Sequence, residues 1–78
     1  MRFVIHSREY EITKESVQTA MMEVQPRGNS KYQVRINDVD YPTKQVIEKV
    51  TGLPPLAFTT AYAYRILDKL GFKISVME

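Results

Sequence analysis

The run Tyr41-Pro42-Thr43-Lys44-Gln45-Val46-Ile47-Glu48-Lys49-Val50-Thr51-Gly52 constrains this chain most, because it drives an extended segment straight into a helix. Pro42 holds φ near the helical value and lacks the N–H that a first turn leaves unpaired, so it is expected at the first helical position. The same ring disfavours helical backbone at Tyr41 and makes that residue the end of a strand. Val46, Ile47 and Val50 fall on one helical face, and Gly52 is placed to close the helix in a left-handed conformation. Tyr41, Lys44 and Gln45 are then expected near the helix start, where free N–H groups and the dipole favour an anion.

A length of 78 residues predicts one small domain spanning 1–78. With no cysteine, neither a disulfide framework nor a thiolate metal site can supplement its core. Eleven Lys and Arg against nine Asp and Glu give a net charge of +2. This excess inclines the chain toward polyanions only if the cations cluster on one surface. The N-terminus has no apolar run of signal-peptide length and no segment is apolar enough to span a bilayer, so a soluble, cytoplasmic protein is expected.

In chain order, Phe3-Val4-Ile5 reads as a strand that extends or resumes through Tyr10-Glu11-Ile12, with a turn or a bulge at Ser7-Arg8-Glu9. Thr13 is placed to cap a helix whose apolar face is Val17, Ala20, Met21 and Val24. Gln25-Pro26-Arg27-Gly28-Asn29-Ser30 reads as a mobile loop; its Gly-Asn-Ser backbone could face a phosphate but lacks the spacing of a phosphate-binding fingerprint, so an ordinary surface loop is the favoured reading. Tyr32-Gln33-Val34-Arg35-Ile36 alternates, with Gln33 and Arg35 predicted on the outer face. Asn37-Asp38 suits a type I′ turn returning into Val39-Asp40-Tyr41. Leu53-Pro54-Pro55-Leu56-Ala57-Phe58 is an apolar, proline-stiffened loop expected to pack back through Leu53, Leu56 and Phe58. Thr59 or Thr60 caps a last helix with Ala63, Ile66, Leu67 and Leu70 inward; Gly71 stops it, and Phe72-Lys73-Ile74-Ser75-Val76 forms a final strand. The predicted fold is α+β, a small antiparallel sheet with three helices, loosely winged-helix-like.

Little in the chain suits catalysis. His6 is the one histidine, no acidic pair has metal-ligand spacing, and Asp38 with Asp40 suits a hairpin turn better than acid–base chemistry. No enzyme activity, metal or cofactor is expected. Binding has more material: Arg35, Lys44, Arg65 and Lys69 interleave with Tyr41, Tyr62 and Tyr64. Such a mixture neutralises phosphates while aromatic faces pack on sugars and bases.

From about residue 32 to 74 the chain also resembles the sulfur-binding, phosphorothioate-recognising modules of modification-dependent restriction endonucleases. The resemblance rests on Tyr41-Pro42-Thr43-Lys44, on Phe58, and on Arg65-Ile66-Leu67-Asp68-Lys69-Leu70-Gly71-Phe72. It implies a DNA-recognition role in a restriction or phage-defence system. It further implies that Tyr41 and Pro42 line a shallow apolar pocket and that Lys44 lies near the nucleic-acid backbone. Gln45 stands where that family carries a small residue, and Asn37-Asp38 where it carries a turn glycine.

The sequence thus predicts a nucleic-acid-binding module, DNA being the expected partner, with Arg35, Tyr41, Pro42, Lys44, Tyr62, Arg65 and Lys69 at the interface. The alternative is a small protein-interaction module that uses the apolar loop at residues 53–58 and the tyrosines as its contact surface.

Overall fold

Two hairpins with the same two-residue turn set the strand registers in a computed structural model that describes residues 1–28 and 31–76. Strands β1 (Arg2–Ile5) and β2 (Arg8–Glu11) join through His6 and Ser7 at φ 52° and 65°. Strands β3 (Tyr32–Ile36) and β4 (Val39–Pro42) join through Asn37 and Asp38 at φ 53° and 65°. Positive φ at both central residues is the type I′ geometry whose twist matches that of paired strands. The second turn is the predicted one. The first lies at His6-Ser7 rather than Ser7-Arg8-Glu9, because β2 already begins at Arg8.

The strands form two sheets rather than the expected one: a β1–β2 hairpin and a three-stranded antiparallel sheet in the order β4-β3-β5, with β5 at Ile74–Val76. Three α-helices complete an α+β fold: α1 (Lys14–Ala20), α2 (Thr43–Thr51) and α3 (Thr60–Lys69). Phe3 and Ile5 of β1, Val17 and Met21 at α1, Val34 and Ile36 of β3, Val46 and Ile47 of α2, and Ala63, Ile66 and Leu67 of α3 share one core. Among the described residues no helix is long and apolar enough to cross a membrane.

Local chemistry explains the helix ends. Thr13 Oγ1 accepts from the Ser16 N–H at 3.0 Å, and Ser16 Oγ accepts from the Thr13 N–H at 2.9 Å, a reciprocal capping box. Helix α1 stops earlier than its apolar spacing predicts: Met21 is its C-cap, and Glu23 at φ 63° turns the chain away. Met21 is nevertheless fully buried. Gly52 closes α2 at φ 77°, and its N–H donates to the Glu48 carbonyl at 2.8 Å. Thr59 caps α3 through the Tyr62 N–H at 3.1 Å, and Gly71 follows it at φ 92°.

Three packing expectations are corrected. Leu56 does not return to the core; it stands 96% exposed on a 3-10 turn at Pro55–Ala57, while Phe58 alone of that loop is buried. Gln33 shares the Arg35 face of β3 as expected but is buried there, whereas Arg35 is exposed. The last strand is three residues long, because Phe72 leaves sheet pairing to donate its N–H to the Leu67 carbonyl at 3.1 Å.

Candidate nucleic-acid interface

Helix α3 turns Ala63, Ile66 and Leu67 inward, which leaves Ala61, Arg65 and Lys69 as an exposed stripe at i, i+4 and i+8. The small Ala61 side chain leaves room beside the arginine. Neither Arg65 nor Lys69 forms an ion pair among the described residues. Three grooves meet at Arg65. One runs past Tyr32 and Tyr64, a second past Phe58 and Tyr62, and a third between α3 and β1 past Arg2, Phe3 and Lys69. A guanidinium without an acidic partner, set among aromatic walls, can donate to an anion whose attached rings or sugars rest on those walls.

Of the predicted interface residues, Tyr62, Arg65 and Lys69 come together here. The Tyr62 hydroxyl donates to the Val4 carbonyl, so this ring ties α3 to β1 as well as lining the groove. Lys44 reaches the rim indirectly. It is half-buried, and its Nζ lies 5.4 Å from the centroid of Phe58, the ring that lines the groove beside Tyr62 and Arg65.

Arg35 is placed differently. The two-residue turn sets it directly opposite Asp40, and its Nε donates to Asp40 Oδ1 at 3.2 Å. That hydrogen bond, with the carboxylate's charge, raises the guanidinium pKa above its ordinary value. Arg35 lines none of the grooves around Arg65.

Tyr41 and Pro42 do not line an open pocket. The register pairs Tyr41 with Val34, which puts the tyrosine on the core face. Tyr41 is 2% exposed, and its hydroxyl donates to the carbonyls of Val24 at 2.8 Å and Met21 at 3.3 Å. Pro42 is buried as the last residue of β4 and the N-cap of α2, one position ahead of the first helical residue it is expected to be. Its ψ of 136° is extended, so the chain enters the helix only at Thr43.

The segment after α1 covers the start of α2. Gln45 is buried; its Nε2 donates to the Gln25 carbonyl and its Oε1 accepts from the Arg27 N–H, both at 2.8 Å. Arg27 also pairs with Glu48 at 2.6 Å. Residues 25–27 are therefore tied to α2, in place of the expected mobile loop. Asn29 and Ser30 of the Gly28-Asn29-Ser30 backbone that could face a phosphate lie outside the described residues.

Sequence reasoning misses Tyr32, Arg2 and Ala61. Strand alternation assigns Tyr32 to the core face, and Arg2 is brought to α3 only by tertiary packing of β1. Ala61 is legible, since Ala61, Arg65 and Lys69 share one spacing on a helix whose inward face the apolar residues already define. Among the described residues, no group of three or more His, Cys, Asp or Glu is arranged to hold a metal ion.

Comparison with known proteins gives one result. Neither the curated proteins nor the solved structures contain a significant match to this chain. A family model described as SCO5918-like matches residues 1–78, the whole of the sequence. The chain belongs to the SCO5918-like family.

Proposed function

We propose that this chain is a nucleic-acid-binding module that lays the exposed face of α3 against a DNA backbone. The observation that carries the reading is Arg65, a guanidinium without an ion-pair partner among the described residues, at the meeting point of three aromatic-lined grooves. Lys69 extends the same positive stripe by one helical turn, and Lys44 adds charge at the rim beside Phe58. Phosphate contacts of this kind position a protein on DNA without reading its sequence. The module has no chemistry of its own in this reading. Its setting is the restriction or phage-defence system that the resemblance implies. Tyr41 and Pro42 support the scaffold rather than a sulfur pocket, because both are buried.

A mobility-shift titration with duplex DNA at rising salt tests the proposal. Backbone binding predicts retardation at low salt and a steep loss of affinity as salt rises, because each neutralised phosphate releases counterions. Absence of any shift at low salt contradicts it.

Leu56 favours a second reading, a protein-contact module. It is 96% exposed on a turn held by Pro54 and Pro55, a rigid apolar point of the kind that anchors protein interfaces. That reading predicts a partner whose binding is abolished in Leu56→Ala and is nearly insensitive to salt.

A further inference from the structure

We infer that the groove bounded by Tyr32, Thr60, Ala61, Tyr64 and Arg65 accepts an unpaired nucleobase, with Arg65 holding the phosphate next to it. The inference rests on the nucleic-acid reading above and adds that, beyond the backbone contact a duplex also offers, this groove takes a base from a single-stranded or locally opened stretch.

Three observations carry it. First, the rings of Tyr32 and Tyr64 meet at 5.5 Å between centroids with 79° between their planes. A planar base can lie flat on one such ring with its edge against the other. Second, these two tyrosines stand outside the core. They are half-buried, pack against each other, and do not belong to the apolar residues gathered around the core cluster, whereas Tyr41 and Tyr62 do. Among the described residues neither hydroxyl has a hydrogen-bond partner, so both can meet the polar edge of a base. Third, the groove has a volume of about 410 Å³, within the roughly 300–1,000 Å³ range of small-ligand sites. Ala61 leaves it unfilled, and Thr60 adds a hydroxyl at the start of the helix.

The chemistry selects an unpaired base. Inside a duplex both faces of a base are covered by its neighbours, so an aromatic wall beside the helix meets sugar, phosphate and base edges but no free π-face. A base freed from the stack presents a whole π-face, and stacking it on an aromatic side chain is sequence-tolerant. Arg65 on the same wall supplies the charge that holds the adjoining phosphate.

The test is a set of fluorescence-anisotropy titrations at low salt, using labelled oligothymidylate and a labelled duplex of the same length. The proteins are the wild type, Tyr64→Leu and Tyr64→Phe. Tyr64→Leu keeps apolar bulk but removes the π-face, and it is expected to weaken oligothymidylate binding at least about fivefold while leaving duplex binding unchanged. Tyr64→Phe keeps the ring and is expected to retain most of the affinity, which separates loss of stacking from loss of folding. Circular dichroism of both variants checks that the fold is kept. If Tyr64→Leu weakens both oligonucleotides equally, or neither, the base site is overturned while backbone binding through Arg65 survives. If the wild type binds neither oligonucleotide, both the base site and the nucleic-acid reading fall.

Discussion

The Tyr41 hydroxyl donates to the Val24 carbonyl at 2.8 Å, which fastens the end of β4 to the segment that leaves α1. The ring that sequence reasoning places beside a bound anion is thereby a tie between two parts of the scaffold. Tyr41→Phe removes the hydroxyl and keeps the ring. Urea denaturation should show a loss of about 1 kcal/mol, the net value of an ordinary buried hydrogen bond. DNA affinity should not change. A variant of unchanged stability but abolished binding would restore Tyr41 to the interface.

Gln45 predicts a local rather than a global effect. Its amide bridges the Gln25 carbonyl and the Arg27 N–H, so Gln45→Ala should release residues 25–27 from α2. Hydrogen exchange at the Arg27 amide should accelerate well beyond that at Val46 or Ile47, whose protection comes from the helix itself. Uniform acceleration along α2 would mean that Gln45 supports the whole helix instead.

Thr43 is fully buried at the first position of α2, and its Oγ1 has no hydrogen-bond partner among the described residues. Burying a hydroxyl without a partner is unfavourable, and valine matches threonine in shape. Thr43→Val should therefore be neutral or raise stability by about 1 kcal/mol in urea denaturation. A clear loss of stability would show that the hydroxyl is hydrogen-bonded in solution.

These variants mark the line between what is legible in the sequence and what is not. Features set by a few neighbouring residues are readable: the Thr13 and Thr59 caps, the Asn37-Asp38 turn, and the glycines that follow α2 and α3. The roles of Tyr41, Gln45 and Gln33 depend on burial or on carbonyls and amides distant in sequence, which no local pattern displays.

Two further facts are available in the hairpin itself. Once Asn37 and Asp38 form a two-residue turn, Arg35 must face Asp40 and Tyr41 must share the side of Val34. The first explains why Arg35 is paired, and the second why Tyr41 is inward. The α3 stripe can be read because helical spacing alone places Arg65 and Lys69 opposite the core. The grooves beside it cannot, since β1 and β3 reach α3 from distant parts of the chain.

The measurement that bears most directly on the interface compares Arg65→Ala with Arg35→Ala in duplex-DNA binding at several salt concentrations. Each removes one positive charge from an exposed arginine, so any general effect of net charge is the same in both. Arg65→Ala is predicted to weaken binding and to flatten the plot of log K against log salt by about 0.9 for each phosphate that is no longer neutralised. Arg35→Ala, whose guanidinium is held by Asp40, is predicted to leave that slope unchanged. Equal effects from the two substitutions, or a larger effect from Arg35→Ala, would contradict binding through α3.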